Sequence, residues 1–143
     1  MRDGPEKALL ERYRERLNPR LDVLEVPEGR GAAAEIKRRE AQAILGALPG
    51  GALLVALDEC GEAMNSERLA RRLDGWLGSG RTLCFAVGGA EGLDAAVLAR
   101  ADAALSLGAM TWPHMLVRPM LAEQLYRARC IATGHPYHRA GRP

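Results

Sequence analysis

Apolar residues recur at helical spacing near the start of the chain. Leu9, Leu10, Tyr13 and Leu17 share one face between Pro5 and Leu17, charged residues fill the rest, and Asn18-Pro19 ends the pattern. Leu21 to Val26 mostly alternates apolar with polar, which predicts an edge or half-buried strand closed by Pro27-Glu28-Gly29-Arg30-Gly31. A second helix is expected from Ala32 to about Leu48. Gly50-Gly51 then introduces Ala52 to Leu57, a continuous apolar run too short for a helix and suited to a strand covered on both faces, with Asp58 closing it.

The same rhythm continues to the end. Asn65 or Ser66 can cap a helix running to about Leu77, with Glu67 in its first turn, before Gly78-Ser79-Gly80 turns the chain. Thr82 to Val87 reads as a buried strand, Leu93 to Ala101 as a short helix, Ala103 to Leu107 as a short strand, and Pro113 to about Thr133 as a long helix with Pro119 near its start. Strands alternating with helices predict a three-layer α/β domain with a mainly parallel sheet. In such sheets ligands bind beyond the carboxyl ends of the strands. Three loops therefore stand out: Asp58 to Asn65, Gly88 to Gly92, and Gly108 to His114. The middle one fits neither GxGxxG nor a P-loop nor a nucleophile elbow, so by itself it reads as a tight strand-to-helix turn or a ligand loop.

Composition narrows the class. With 143 residues, 48% of them hydrophobic, one core and one domain over 1–143 are expected. The 20 basic and 18 acidic residues leave a net charge of +2, too small to announce nucleic-acid binding. No apolar run is long enough to span a membrane, and Met1 to Glu6 lacks the order of a signal peptide, so a cytoplasmic protein is expected. Cys60, Cys84 and Cys130 are far apart without a CxxC, which favours reduced thiols over a disulfide framework or a zinc site. The histidines gather late, at His114, His135 and His138.

The run Phe85-Ala86-Val87-Gly88-Gly89-Ala90-Glu91-Gly92, followed by Leu105 to His114, resembles the knotted half of SPOUT methyltransferases. Leu116-Val117-Arg118, Ala122 to Ala128, and His135-Pro136-Tyr137-His138-Arg139 resemble the C-terminus of the RlmH family, the methyltransferases of a large-subunit ribosomal pseudouridine. Several motifs in order are far more specific than any one of them.

The resemblance implies a minimal SPOUT-type α/β/α domain with a deep trefoil knot at its C-terminal side, an exception to unknotted topology. It implies S-adenosylmethionine bent among the knot loops, at the positions matching the family's contacts: Leu57, Gly88, Leu107, Gly108, Ala109, Met110, Thr111 and Trp112. Glycines permit close backbone approach and the larger apolar side chains can cover an adenine, although core packing is the ordinary role for such residues. The family pattern begins with a strand ending in Ala-Val-Gly-Lys, and by comparison with it that first strand is expected to be missing here.

The implied reaction is methylation of the N3 imide nitrogen of a pseudouridine in 23S ribosomal RNA, on the assembled ribosome, by a homodimer in which one subunit's tail completes the other's site. No metal is required. The methyl group arrives activated, so the protein must position the acceptor and remove its proton. His114, Arg118, Tyr137, His138 and Arg139 offer those functions, with His138 favoured as base or relay and Arg118 as a cation beside substrate or phosphate. Glu123 and Tyr126 are read as orienting groups or as part of a dimer surface. RNA contacts are expected from arginines, above all Arg118, Arg127, Arg129 and Arg139. The knot motifs alone would also permit a transfer-RNA methyltransferase, which the His-Pro-Tyr-His tail argues against; an inactive RNA-binding ribosome-assembly module is the remaining alternative.

Overall fold

Leu53 to Ala56 are buried one after another, as a strand covered on both faces must be. They open β1 (Leu53–Ala63), which lies between β2 (Leu83–Ala86) and β3 (Ala103–Ser106), parallel to each. Parallel neighbours need crossover connections, and helices supply them: α3 (Ser66–Leu77) leads from β1 to β2, and α4 (Ala95–Arg100) from β2 to β3. Ahead of the sheet in sequence come α1 (Pro5–Arg16) and α2 (Ala33–Ala47), and after it α5 (His114–Thr133). This computed structural model describes residues 4–27 and 30–139. Met1 to Asp3, Glu28 and Gly29 of the expected turn, and residues 140–143 lie outside them.

The chain divides into two units. The sheet-bearing unit comprises Leu24–Ala63 and Gly80–His114. Its core gathers Leu54 and Ala56 of β1, Ala86 of β2, Ala41 of α2, and Leu93 and Val97 around α4, with Ile44, Leu45, Leu48 and Leu98 packed at the margin. Leu54 and Val97 are wholly buried, and each such aliphatic side chain contributes roughly 1.5–3 kcal/mol on leaving water. Asp102 secures the start of β1: its Oδ2 accepts from the Leu54 N–H at 2.9 Å and from Arg81 and Arg100, each at 3.2 Å. The two guanidiniums also donate to the Ala52 carbonyl at 2.8 and 2.7 Å. The Leu54 hydrogen bond first, and then the arginines, hold the Asp102 carboxyl below its usual range.

The helical unit comprises Met1–Val23, Met64–Ser79 and Met115–Pro143, and so contains α1, α3 and nearly all of α5. Asn65 rather than Ser66 caps α3, its side chain accepting from the Arg68 N–H at 2.8 Å. Tyr13 of α1 and Tyr126 of α5 meet with ring centroids 6.2 Å apart, and Ser66 of α3 donates to Gln124 of α5 at 2.9 Å.

Two expected elements differ. Residues 21–27 form no strand: Val23 and Leu24 are exposed, and the Leu21 carbonyl accepts instead from Arg14 Nε at 3.0 Å. Alternation creates a strand only where a neighbouring edge takes its backbone hydrogen bonds. Conversely, β1 does not stop at Asp58. Leu105 of β3 pairs with both Leu57 and Glu62, so residues 58–61 bulge out and pairing resumes to Ala63, absorbing most of the expected first loop. Gly61 makes this possible, since a Cβ there would lie 2.7 Å from the Ala104 carbonyl carbon.

Candidate active site

Parallel register brings the expected cofactor positions to one edge of the sheet. Ala56 pairs with Ala86 and Leu57 with Leu105, so half-buried Leu57 lies beside the strand ends from which Gly88 and Leu107 depart. The loop after β2 is a tight turn: Gly89 and Gly92 form an antiparallel bridge, and Gly92 has φ +79°. A Cβ on Gly88 would stand 2.6 Å from the Gly92 carbonyl carbon. Glycine at 88 is thus demanded by the turn itself, a different cause from the ligand approach expected of it. Buried Glu40 of α2 lies against this turn, its carboxylate 3.0 Å from where a Gly89 Cβ would be.

The loop after β3 is built otherwise. The Ser106 hydroxyl accepts from the Gly108 N–H at 3.0 Å, and the Trp112 indole donates to the Leu107 carbonyl at 3.3 Å. Gly108 has φ +107°, in the region that favours glycine, and a Cβ there would meet nothing within 4 Å. Leu107 is half-buried, while Ala109, Met110, Thr111 and Trp112 are exposed, Met110 by 72% and Trp112 by 40%. Two large apolar side chains held out beside open space are not core residues. They suit a flat, partly apolar ligand such as an adenosine group, and this set fits S-adenosylmethionine chemically.

The candidate catalytic tail lies in the helical unit. Gly134, at φ +78°, ends α5, with the His135 N–H returning to the Cys130 carbonyl at 2.9 Å. The following residues are packed rather than loose. The Tyr137 ring meets Tyr126 edge-on at 4.8 Å and lies 4.9 Å from the Arg127 guanidinium, and its hydroxyl donates to Glu123 at 3.4 Å. Burial, a hydrogen bond with Tyr13 and the charge of Glu123 push the Tyr137 phenol well up, so it keeps its proton at neutral pH.

His138 is held from both sides. Its Nδ1 is 3.0 Å from Arg127 Nη1 and its Nε2 is 3.0 Å from Glu67 Oε1 of α3. Arg127 is in turn bound by Glu123 through Nε at 2.8 Å and through Nη2. A guanidinium only donates, so Nδ1 accepts and the ring proton sits on Nε2, donated to Glu67. The His138 hydrogen bond first, then the backbone N–H of Glu67 itself, holds the Glu67 carboxyl below its usual range.

Tyr137 and His138 thus share one cluster with Glu123 and Tyr126, while His114 stands at the first position of α5 and Arg118 in its second turn, both half-buried. Arg139 is exposed. Sequence reasoning missed Glu67 and Arg127 as partners of His138. Glu67 is 71 residues away and carried only a helix-start signal; the Glu123–Arg127 spacing was a legible helical ion pair whose target was not. Among the described residues, no group of three His, Cys, Asp or Glu side chains is placed to hold a metal ion, and no helix is long and apolar enough to cross a membrane.

A family model described as "Predicted SPOUT methyltransferase" matches residues 1–138. The chain is 68% identical to the ribosomal RNA large subunit methyltransferase H of Gluconacetobacter diazotrophicus over 143 residues, 100% of this chain and 94% of that one. It is 56% identical to the protein of the same name from Acidiphilium cryptum, covering 98% of this chain and 89% of the relative. For that of Rhodospirillum rubrum the identity is 58%, with 97% and 93% covered. The chain belongs to the SPOUT methyltransferases and, among them, to the family of the ribosomal RNA large subunit methyltransferases H.

Proposed function

We propose that this protein transfers a methyl group from S-adenosylmethionine to the N3 nitrogen of a pseudouridine in large-subunit ribosomal RNA, acting on the assembled ribosome in the cytoplasm. The observation that carries the reading is the loop Leu107 to Trp112 at the carboxyl ends of the parallel strands, turned at Gly108 and exposed from Ala109 onward, in a chain whose relatives are named for ribosomal RNA methylation. Leu57, Gly88 and residues 107–112 hold the methyl donor. The donor supplies a methyl group already activated on a positively charged sulfur. What remains for the protein is to place the acceptor nitrogen in line and take its proton.

The N3 position lies between two carbonyls and is weakly acidic. His138 serves as base or proton relay, Arg118 offers positive charge to the developing anion or to a phosphate, and Tyr137 keeps its proton and orients the tail. His114 is the reserve candidate. The chain works as a homodimer, one copy's tail completing the donor site of the other, and the two units belong to one SPOUT domain over 1–143 with the family's trefoil knot at its C-terminal side. Arg118, Arg127, Arg129 and Arg139 supply the phosphate contacts. Nucleoside mass spectrometry of ribosomal RNA from cells lacking this gene tests the reading. N3-methylpseudouridine should vanish from the large subunit and return with a plasmid copy; its persistence would contradict the assignment.

A further inference from the structure

The surroundings of His138 carry more than a place in the tail. Its side chain is only 15% exposed, and both ring nitrogens are engaged. The charged and titratable groups around it are Glu67, with Arg71 behind, on α3; Arg127 and Glu123 on α5; and Tyr137, backed by Tyr13 of α1. Glu67 accepts the Nε2 proton, so the lone pair of Nδ1 is the one able to take a proton, and that lone pair is covered by Arg127.

We propose that Glu67 and Arg127 are positioning residues for His138, Glu67 fixing the proton on Nε2 and Arg127 capping Nδ1 until an RNA phosphate draws the guanidinium away. This rests on the proposed methyl-transfer reading. Glu123 holds Arg127 through Nε and Nη2, so the guanidinium can pivot on that pair and exchange the single Nη1 bond to a neutral imidazole nitrogen for a stronger, charge-assisted bond to phosphate. Once Arg127 turns to phosphate, Nδ1 accepts the N3 proton of the pseudouridine. The electron pair left on N3 forms the bond to the methyl carbon, the carbon–sulfur pair stays on sulfur, and His138 returns its proton to water. Throughout, the Glu67 carboxylate stabilises the imidazolium, as an orienting carboxylate does in nucleophile–histidine–acid triads. The base is thereby uncovered only when RNA is bound.

Opposite electrostatics make the proposal testable. Glu67→Gln keeps an acceptor for Nε2–H but removes the negative charge that favours the imidazolium, so the acidic limb of kcat/KM should move to lower pH. It should also lower kcat on the order of ten- to a hundredfold, with KM for ribosomes unchanged. Arg127→Met removes a neighbouring positive charge and uncovers Nδ1, so its acidic limb should move to higher pH while KM for ribosomes rises. Nitrogen-15 NMR of the free wild-type protein should show His138 as the Nε2–H tautomer. A wild type that carries the proton on Nδ1 overturns the inference whatever the activity. Active variants whose pH limbs stay put, or shift in the same direction, also overturn it and leave the methyl-transfer reading standing. A wild type that transfers no methyl to ribosomes overturns that reading and the inference with it.

Discussion

Glycine at 88 and glycine at 108 look alike in a sequence, yet their physics differs, and the difference decides which substitution reports on the ligand. A Cβ at 88 strikes the backbone of Gly92, so Gly88→Val disrupts the turn whether or not a ligand binds there. At 108 the space is open and only the backbone angle resists, at a cost of roughly 1–3 kcal/mol for a non-glycine residue. Trp112 gives the cleaner probe because its exposed ring supports little core. Trp112→Ala should unfold at the wild-type temperature and bind S-adenosylmethionine about tenfold more weakly, roughly 1.4 kcal/mol, by calorimetry. Unchanged affinity would remove the indole from the site.

Two carboxyls contribute to the response to acid. Asp102 and Glu67 have folded-state pKa values below their ordinary 3.8 and 4.5. Each therefore adds stability that is fully present above those values and is lost as pH falls through the lowered ones. Asp102→Asn and Glu67→Gln should each flatten the fall in stability below about pH 4.5, measured by urea unfolding across pH. A wild-type slope in both variants would deny these contacts any part in acid sensitivity. Neither partnership was legible in sequence: Asp102 meets Leu54 across 48 positions and Glu67 meets His138 across 71. The tail drew attention only through its resemblance to a family; composition alone would have left Tyr137 and His138 as a loose end.

At the scale of elements, local pattern carried most of the information. The central strand announced itself because Ala52 to Leu57 is apolar without a break, and that burial makes it costly to disturb. Leu54→Ala should destabilise the fold by about 3 kcal/mol, within the 2–5 kcal/mol typical of such truncations, whereas Asn65→Ala should cost about 1 kcal/mol through the lost cap of α3. Denaturant unfolding would check both, and equal losses would mean that the core and the helix cap had been wrongly weighed. Residues 21–27 show why pattern is insufficient, because alternation says nothing about whether a pairing edge is near. The extension of β1 shows the reverse: Asp58, Glu59 and Gly61 read as loop residues, and only the partner β3, with glycine allowing its close approach, carries the strand through them.

At the scale of the whole molecule, the proposed function asks a chain of 143 residues for a donor site, a proton acceptor and an RNA surface. On the proposed reading a symmetric pair would share those tasks, so sedimentation should report a dimer at micromolar concentration, and a fully active monomer would refute the shared site. Alternating strands and helices made the α/β class with its parallel sheet readable beforehand. The division into two units was not, because it joins segments from the beginning, middle and end of the chain. Purified protein should be incubated with labelled S-adenosylmethionine and ribosomes from cells lacking this gene, and the large-subunit RNA digested and read by mass spectrometry. Label should appear in N3-methylpseudouridine at about one per large subunit; label confined to another nucleoside, or none in ribosomal RNA, would contradict the proposed methyl transfer.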